Sequence, residues 1–161
     1  MKKLVIGTMS FGIAAFAPMV AQAQDISVST SVDLVSEYVF RGTSLAEAAV
    51  QPGVEVAVGD FTAGAWFSTG FGETSIAAGD EVDLYASYSL ALIDGVSTDI
   101  GITYYHYPQG GGLFETDNGN AGSYEIFGSL GFDTVLAPSV TAYYDFTLEN
   151  FTLEGLSLIH I

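Results

Sequence analysis

The sequence predicts an all-β protein: a transmembrane antiparallel up-and-down β-barrel, of which this chain carries a fragment with about seven strands. Three observations lead there. Apolar residues recur at every second position over most of the chain, no window beyond the N-terminus holds a helical repeat, and long and tight connections take turns between the alternating runs.

Taken in order, the first element is not part of the barrel. Met1-Lys2-Lys3 is a positive n-region, Leu4 to Val20 is an apolar run, and Ala21-Gln22-Ala23 is an A-x-A cleavage site. Together they predict a secretory signal peptide over 1–23, with Gln24 as the first mature residue and export as the consequence. Its removal takes the formal charge from −16 to −18 and leaves Arg41 as the one Lys or Arg against 19 carboxylates. Nucleic-acid binding, which needs Lys and Arg to neutralise phosphates, is excluded as a function. With no cysteine in the chain there is neither a disulfide framework nor thiol chemistry.

The barrel is expected over 24–155. Its strands are read at Ile26–Phe40, Val54–Val58, Phe61–Thr69, Val82–Leu90, Val96–Tyr107, Tyr124–Phe132 and Val140–Leu148. Between them Gly42 to Gln51, Gly70 to Asp80 and Pro108 to Gly122 are long, whereas Gly59-Asp60, Ile93-Asp94-Gly95 and Asp133 to Pro138 are shorter. An up-and-down meander then gathers the long loops at one end and the turns at the other, the layout of an outer-membrane barrel.

Strand parity divides the side chains into two faces. Asp33, Glu37, Glu55, Asp83, Asp99, Glu125 and Asp145 all fall on the polar face, which is otherwise small and uncharged, and the apolar face carries no strand carboxylate. A lipid-facing wall requires such a division, and the acids with Arg41 become candidate lumen-lining residues. Arg41 is expected to find a carboxylate there and to make a two-pronged pair with it. Tyr38, Phe40, Trp66, Tyr104 and His106 gather where strands approach the long loops and are candidates for the aromatic belt, so Tyr38 and Phe40 are expected to face lipid beside Val32 and Leu34.

With those residues in view, the chain resembles the TorF porin family. The resemblance covers most of the mature chain and rests on "SEYVFRG" (Ser36 to Gly42), "EVDLYASY" (Glu81 to Tyr88), "YYHYP" (Tyr104 to Pro108) and "YEIFG" (Tyr124 to Gly128). It implies a Gram-negative outer-membrane barrel passing small solutes, and it carries over no catalytic or ligand residue. Full members are longer and end on an aromatic-terminated strand, whereas this chain ends "LSLIHI". Those residues, 156–161, are the in-frame translation of CTG TCT CTT ATA CAC ATC, a transposase end used as a sequencing adapter. A non-native tail on a truncated barrel is the expectation, and His160 is left out of the chemistry.

No enzyme is expected. His106 stands alone among tyrosines, and no pattern marks a serine nucleophile with its base and orienting carboxylate. The acidic stretches "ETDNGN" (Glu115 to Asn120) and "GDEVD" (Gly79 to Asp83) lack EF-hand spacing, so no metal or cofactor is expected. The expected partners are outer-membrane lipid, lipopolysaccharide, and small solutes or ions, with oligomeric state left open. The expected function is passive passage of small solutes with cation preference. Two alternatives stand beside it: a non-conducting structural or adhesive barrel acting through acidic loops, and a secreted soluble β-sheet protein binding an apolar ligand.

Overall fold

A computed structural model describes residues 26–71 and 80–157. The expected signal peptide, most of the connection from Gly70 to Asp80, and residues 158–161 of the expected tail lie outside the described residues.

The strands are β1 (Ile26–Val35), β2 (Tyr38–Phe40), β3 (Thr43–Ala46), β4 (Ala48–Val58), β5 (Phe61–Phe71), β6 (Asp80–Ile93), β7 (Val96–His106), β8 (Gly122–Phe132), β9 (Ser139–Asp145) and β10 (Asn150–Leu156), with one 3₁₀ turn at Asp117–Gly119. Eight of them form one antiparallel sheet in the order β1-β4-β5-β6-β7-β8-β9-β10, while β2 and β3 pair only with each other. The sheet is a meander, and it is open: β1 and β10 are its two edges and do not pair. A closed barrel is therefore not what these strands form by themselves.

Three expected elements are redrawn. The first strand stops at Val35, because the chain bends at Ser36-Glu37 and restarts as β2. The stretch from Gly42 to Gln51, read as a loop, is instead β3 and the start of β4. Its reversal from β2 is a two-residue turn with both central residues at positive φ, Arg41 at 46° and Gly42 at 81°, the type I′ geometry that matches strand twist. Glycine adopts that backbone freely and Arg41 is held there against its preference. Finally, the seventh expected strand ends at Asp145, and a four-residue turn leads into β10, which the sequence reading did not separate.

Alternation does divide the sheet into two faces, and the division is inverted relative to a water-soluble protein. Glu55, Glu81, Asp83, Thr103, Glu125, Ser129, Thr141 and Asp145 share one side through the register Glu55↔Gly64↔Tyr85↔Thr103↔Glu125↔Asp145 and its neighbours. Most of these polar residues are buried. On the other side Val54, Val56, Ile100, Ile102, Ile126 and Leu130 are exposed, as are Val32 and Leu34 on β1. The sheet hides its polar side and presents its apolar one.

The β2–β3 hairpin lies against the polar side. Tyr38, Ala46 and Ala49 make a small buried cluster with Val35, Phe40, Leu45 and Trp66 packed around it. The outward placement expected of Tyr38 and Phe40 is thus corrected: the bend at Ser36-Glu37 resets the strand parity and turns both rings inward.

Candidate functional site

The site is the polar face under the hairpin, and the meander register builds it. Asp83 on β6 stands directly opposite Trp66 on β5 and Tyr105 on β7, so the three side chains share one row of the same face. One row away, Glu125 on β8 lies opposite Thr103 and Asp145. The hairpin closes over both rows. Tyr38 meets Trp66 edge-on with ring centroids 5.7 Å apart, and Phe40 meets Tyr105 edge-on at 5.9 Å.

Polar contacts fix the hairpin in place. The Tyr38 hydroxyl donates to Glu81 Oε2 at 2.7 Å. From the turn, Arg41 donates through Nη1 to Glu125 Oε2 at 2.7 Å and through Nη2 to Glu125 Oε1 at 2.8 Å, a bidentate fork. The guanidinium also lies over the rings of Phe40 and Tyr143, at 4.7 and 4.3 Å. Burial works against the Arg41 charge, but the Glu125 hydrogen bonds and attraction outweigh it and hold its pKa above the ordinary guanidinium value. Glu125 takes a further hydrogen bond from the Tyr105 hydroxyl at 2.9 Å.

The remaining candidate acids are scattered over the same side. Glu55 accepts from the Tyr85 hydroxyl at 3.0 Å, with the Tyr85 ring laid over Gly64, where a Cβ would collide with it. Asp99 accepts from Ser89 Oγ at 2.6 Å and Ser129 Oγ at 3.4 Å. Asp145 turns its carboxylate to the backbone N–H groups of Thr147 and Leu148, at 2.9 and 2.8 Å, and so shapes the β9–β10 turn. Asp33 is exposed on edge strand β1 opposite Gln51, and Glu37 sits half-buried in the bend before β2. Asp83 itself is buried to 2 % exposure, and its Oδ1 has no hydrogen-bond partner among the described residues.

The belt candidates divide. Trp66, like Tyr38 and Phe40, is on the polar side, in parity with Gly64 and Ser68; its reading as an outward belt residue is corrected by that register. Tyr104 and His106 do stand on the apolar side, yet both are buried, because the loop from Tyr107 to Ala121 folds back over them. The Tyr104 hydroxyl donates to the Glu115 carbonyl at 3.0 Å, and His106 Nδ1 lies 3.0 Å from the Ala121 carbonyl, which can only accept, so Nδ1 carries the proton. Phe114, Tyr124 and Phe146 continue this aromatic group along the outer face, with Tyr104 and Tyr124 centroids 4.6 Å apart and Tyr124 stacked on Phe146 at 5.9 Å.

Sequence reasoning missed Glu81 and Tyr105. Glu81 lies just before the expected start of the fourth strand at Val82, although it shares parity with Asp83, and Tyr105 shares its parity with Thr103 and Gly101 rather than with Tyr104 and His106. Both signals were present in the period-two pattern. The two acidic stretches stay unremarkable: Glu115 accepts from the Gly112 N–H at 2.9 Å, and among the described residues no group of three His, Asp or Glu is placed to hold a metal ion.

The sequence model of a bacterial family described as proteins of unknown function, Gcw_chp, matches residues 20–152. No curated protein and no solved structure matches the chain.

Proposed function

The chain belongs to the Gcw_chp family of bacterial proteins of unknown function, and from that premise we propose that it is part of an outer-membrane, porin-like β-barrel of the TorF kind, admitting small solutes with a preference for cations. The observation that carries the reading is the inverted sheet: buried Glu81, Asp83, Glu125 and Asp145 on one side, exposed Val56, Ile102 and Ile126 on the other. In water such a continuous apolar band is an association or aggregation hazard; against hydrocarbon it is the ordinary wall of a barrel. Strand length agrees. Eleven residues in β4, β5, β7 and β8 extend about 37 Å at ~3.4 Å per residue, and a tilt near 45° brings that to roughly the ~25 Å apolar band of such barrels.

Closure in lipid requires that the β1 and β10 edges be paired, since an open edge leaves backbone groups unsatisfied there. The polar side then becomes the lumen, and its acids give it a negative potential that low-dielectric walls focus. The hairpin lying over that side favours the second reading, a barrel stoppered from within and structural in role. Reversal potentials across a salt gradient in planar bilayers separate the two. Cation preference at low salt, weakened by Asp33→Asn with Glu37→Gln and strengthened by Arg41→Ala, supports the pore. Anion preference would refute the lumen assignment, and zero conductance from the full-length protein would leave the structural barrel.

A further inference from the structure

Every acid under the hairpin has a matched partner except one. Glu125 has the Arg41 fork, Glu81 has the Tyr38 hydroxyl, and Asp145 has two backbone N–H groups. Asp83, the most deeply buried of them, is left with Oδ1 unpartnered among the described residues. Buried carboxylate oxygens are normally satisfied, so an orphan of this kind calls for a donor from outside, and a carboxylate is met most strongly by a positively charged one. Its neighbours narrow the kind of group. Trp66 flanks Asp83 on one strand and Tyr105 on the other, with Tyr38 and Phe40 packed on those two rings in turn. A divalent metal requires several oxygen ligands, and no three-carboxylate group is placed for one among the described residues. A carboxylate between aromatic rings suits an organic ammonium instead, its charge on the acid and its alkyl body on the ring faces.

We propose that Asp83, Trp66 and Tyr105 form a binding site for small alkylammonium cations, covered by the β2–β3 hairpin. The site names a solute class for the pore and rests on that reading for the route by which the cation arrives; binding itself needs no membrane. Because Asp83 is covered, entry requires the hairpin to lift, and the Arg41–Glu125 fork and the Tyr38–Glu81 hydrogen bond hold it down together with the packing of Tyr38 and Phe40 on Trp66 and Tyr105.

Trp66 is the chain's single tryptophan, so its fluorescence reports this site directly. Protein refolded in detergent micelles is titrated with n-butylammonium chloride, and with sodium and magnesium chloride at matched ionic strength. The expected result is a saturable change in Trp66 emission with butylammonium alone, at least tenfold weaker in Asp83→Asn and unchanged in Asp94→Asn, which is exposed in the turn between β6 and β7. Arg41→Ala should speed the approach to saturation. Tyr105→Leu keeps the acid and removes one wall; it should weaken binding severalfold, and it decides the matter if Asp83→Asn loses its strand signature in circular dichroism. No saturable change, an equal response to sodium or magnesium, or full binding by both variants would overturn the site. A protein that binds butylammonium yet never conducts sinks the pore alone, and one that conducts without binding sinks the site alone.

Discussion

Arg41, in the turn of the β2–β3 hairpin, and Glu125, in the first half of β8, face each other as a two-pronged ion pair with oxygens 2.7 and 2.8 Å from the guanidinium nitrogens. The Glu125 side chain is 5 % exposed and that of Arg41 is 23 % exposed. A pair so nearly desolvated behaves asymmetrically: removing one partner strands the other charge, whereas removing both need cost little.

Arg41→Ala and Glu125→Gln should each destabilise the refolded protein by about 3 kcal/mol, near the low end for a buried pair because Arg41 keeps some contact with water. The double variant should lose clearly less than the sum of the two. Urea unfolding in detergent micelles measures all three, and strict additivity would mean the fork contributes nothing of its own.

Val56 and Ile126 stand on the exposed apolar side. If that side meets hydrocarbon, arginine at whichever of them is nearer the bilayer midplane should cost about 2–4 kcal/mol. Arginine at Ser129, on the opposite face and within hydrogen-bond distance of Asp99, should cost much less. Equal costs, measured by unfolding from lipid vesicles, would argue for a water-soluble sheet.

The 3₁₀ turn at Asp117–Gly119 and the Asp94-Gly95 turn lie at opposite ends of the strands, and Ile26 enters at the Asp94 end, paired with Val58 beside the Gly59-Asp60 turn. If these strands span an outer membrane and the chain enters from the periplasm, Asn118 is outside and Asp94 inside. In this cysteine-free protein, Asn118→Cys should react with an impermeant maleimide on intact cells and Asp94→Cys should not. Labelling at Asp94→Cys alone would invert the topology.

The loop over Tyr104 and His106 is held in part by the Tyr104 hydroxyl on the Glu115 carbonyl. Tyr104→Phe removes that donor and should cost about 1 kcal/mol. Its sharper readout is limited proteolysis: cleavage between Pro108 and Gly119 should accelerate while the strands stay intact. An unchanged cleavage rate would assign the loop's position to ring packing alone.

What was legible in the sequence followed from period two. Val54-Glu55-Val56 and Glu125-Ile126 announce their faces by themselves, because consecutive side chains on a strand must point to opposite sides, and the six acids Asp33, Glu55, Asp83, Asp99, Glu125 and Asp145 hold the parity read for them. Tyr38 and Phe40 were not legible by that rule, since two bent residues, Ser36 and Glu37, suffice to reset it. Trp66 is legible by the same rule: its amphipathic ring suggests an interface, but Gly64 and Ser68 on either side give its face. The fork from Arg41 to Glu125 depends on the register of four successive hairpins, which single strands do not encode. Its particular partner among the polar-side acids was therefore hidden.

The same fork also orders events in time. Its two ends are 84 residues apart in the chain, and the Tyr38–Glu81 bond joins residues 43 apart. Contacts that distant form only after the intervening chain has been gathered, so loop-closure entropy delays them. The hairpin is made early, from neighbours, but its seat is made late: Glu81 arrives with β6 and Glu125 with β8. Throughout much of assembly the sheet's polar side is accordingly uncovered and the Arg41 guanidinium is untethered, and the hairpin takes its seat only once β6 and β8 are in place.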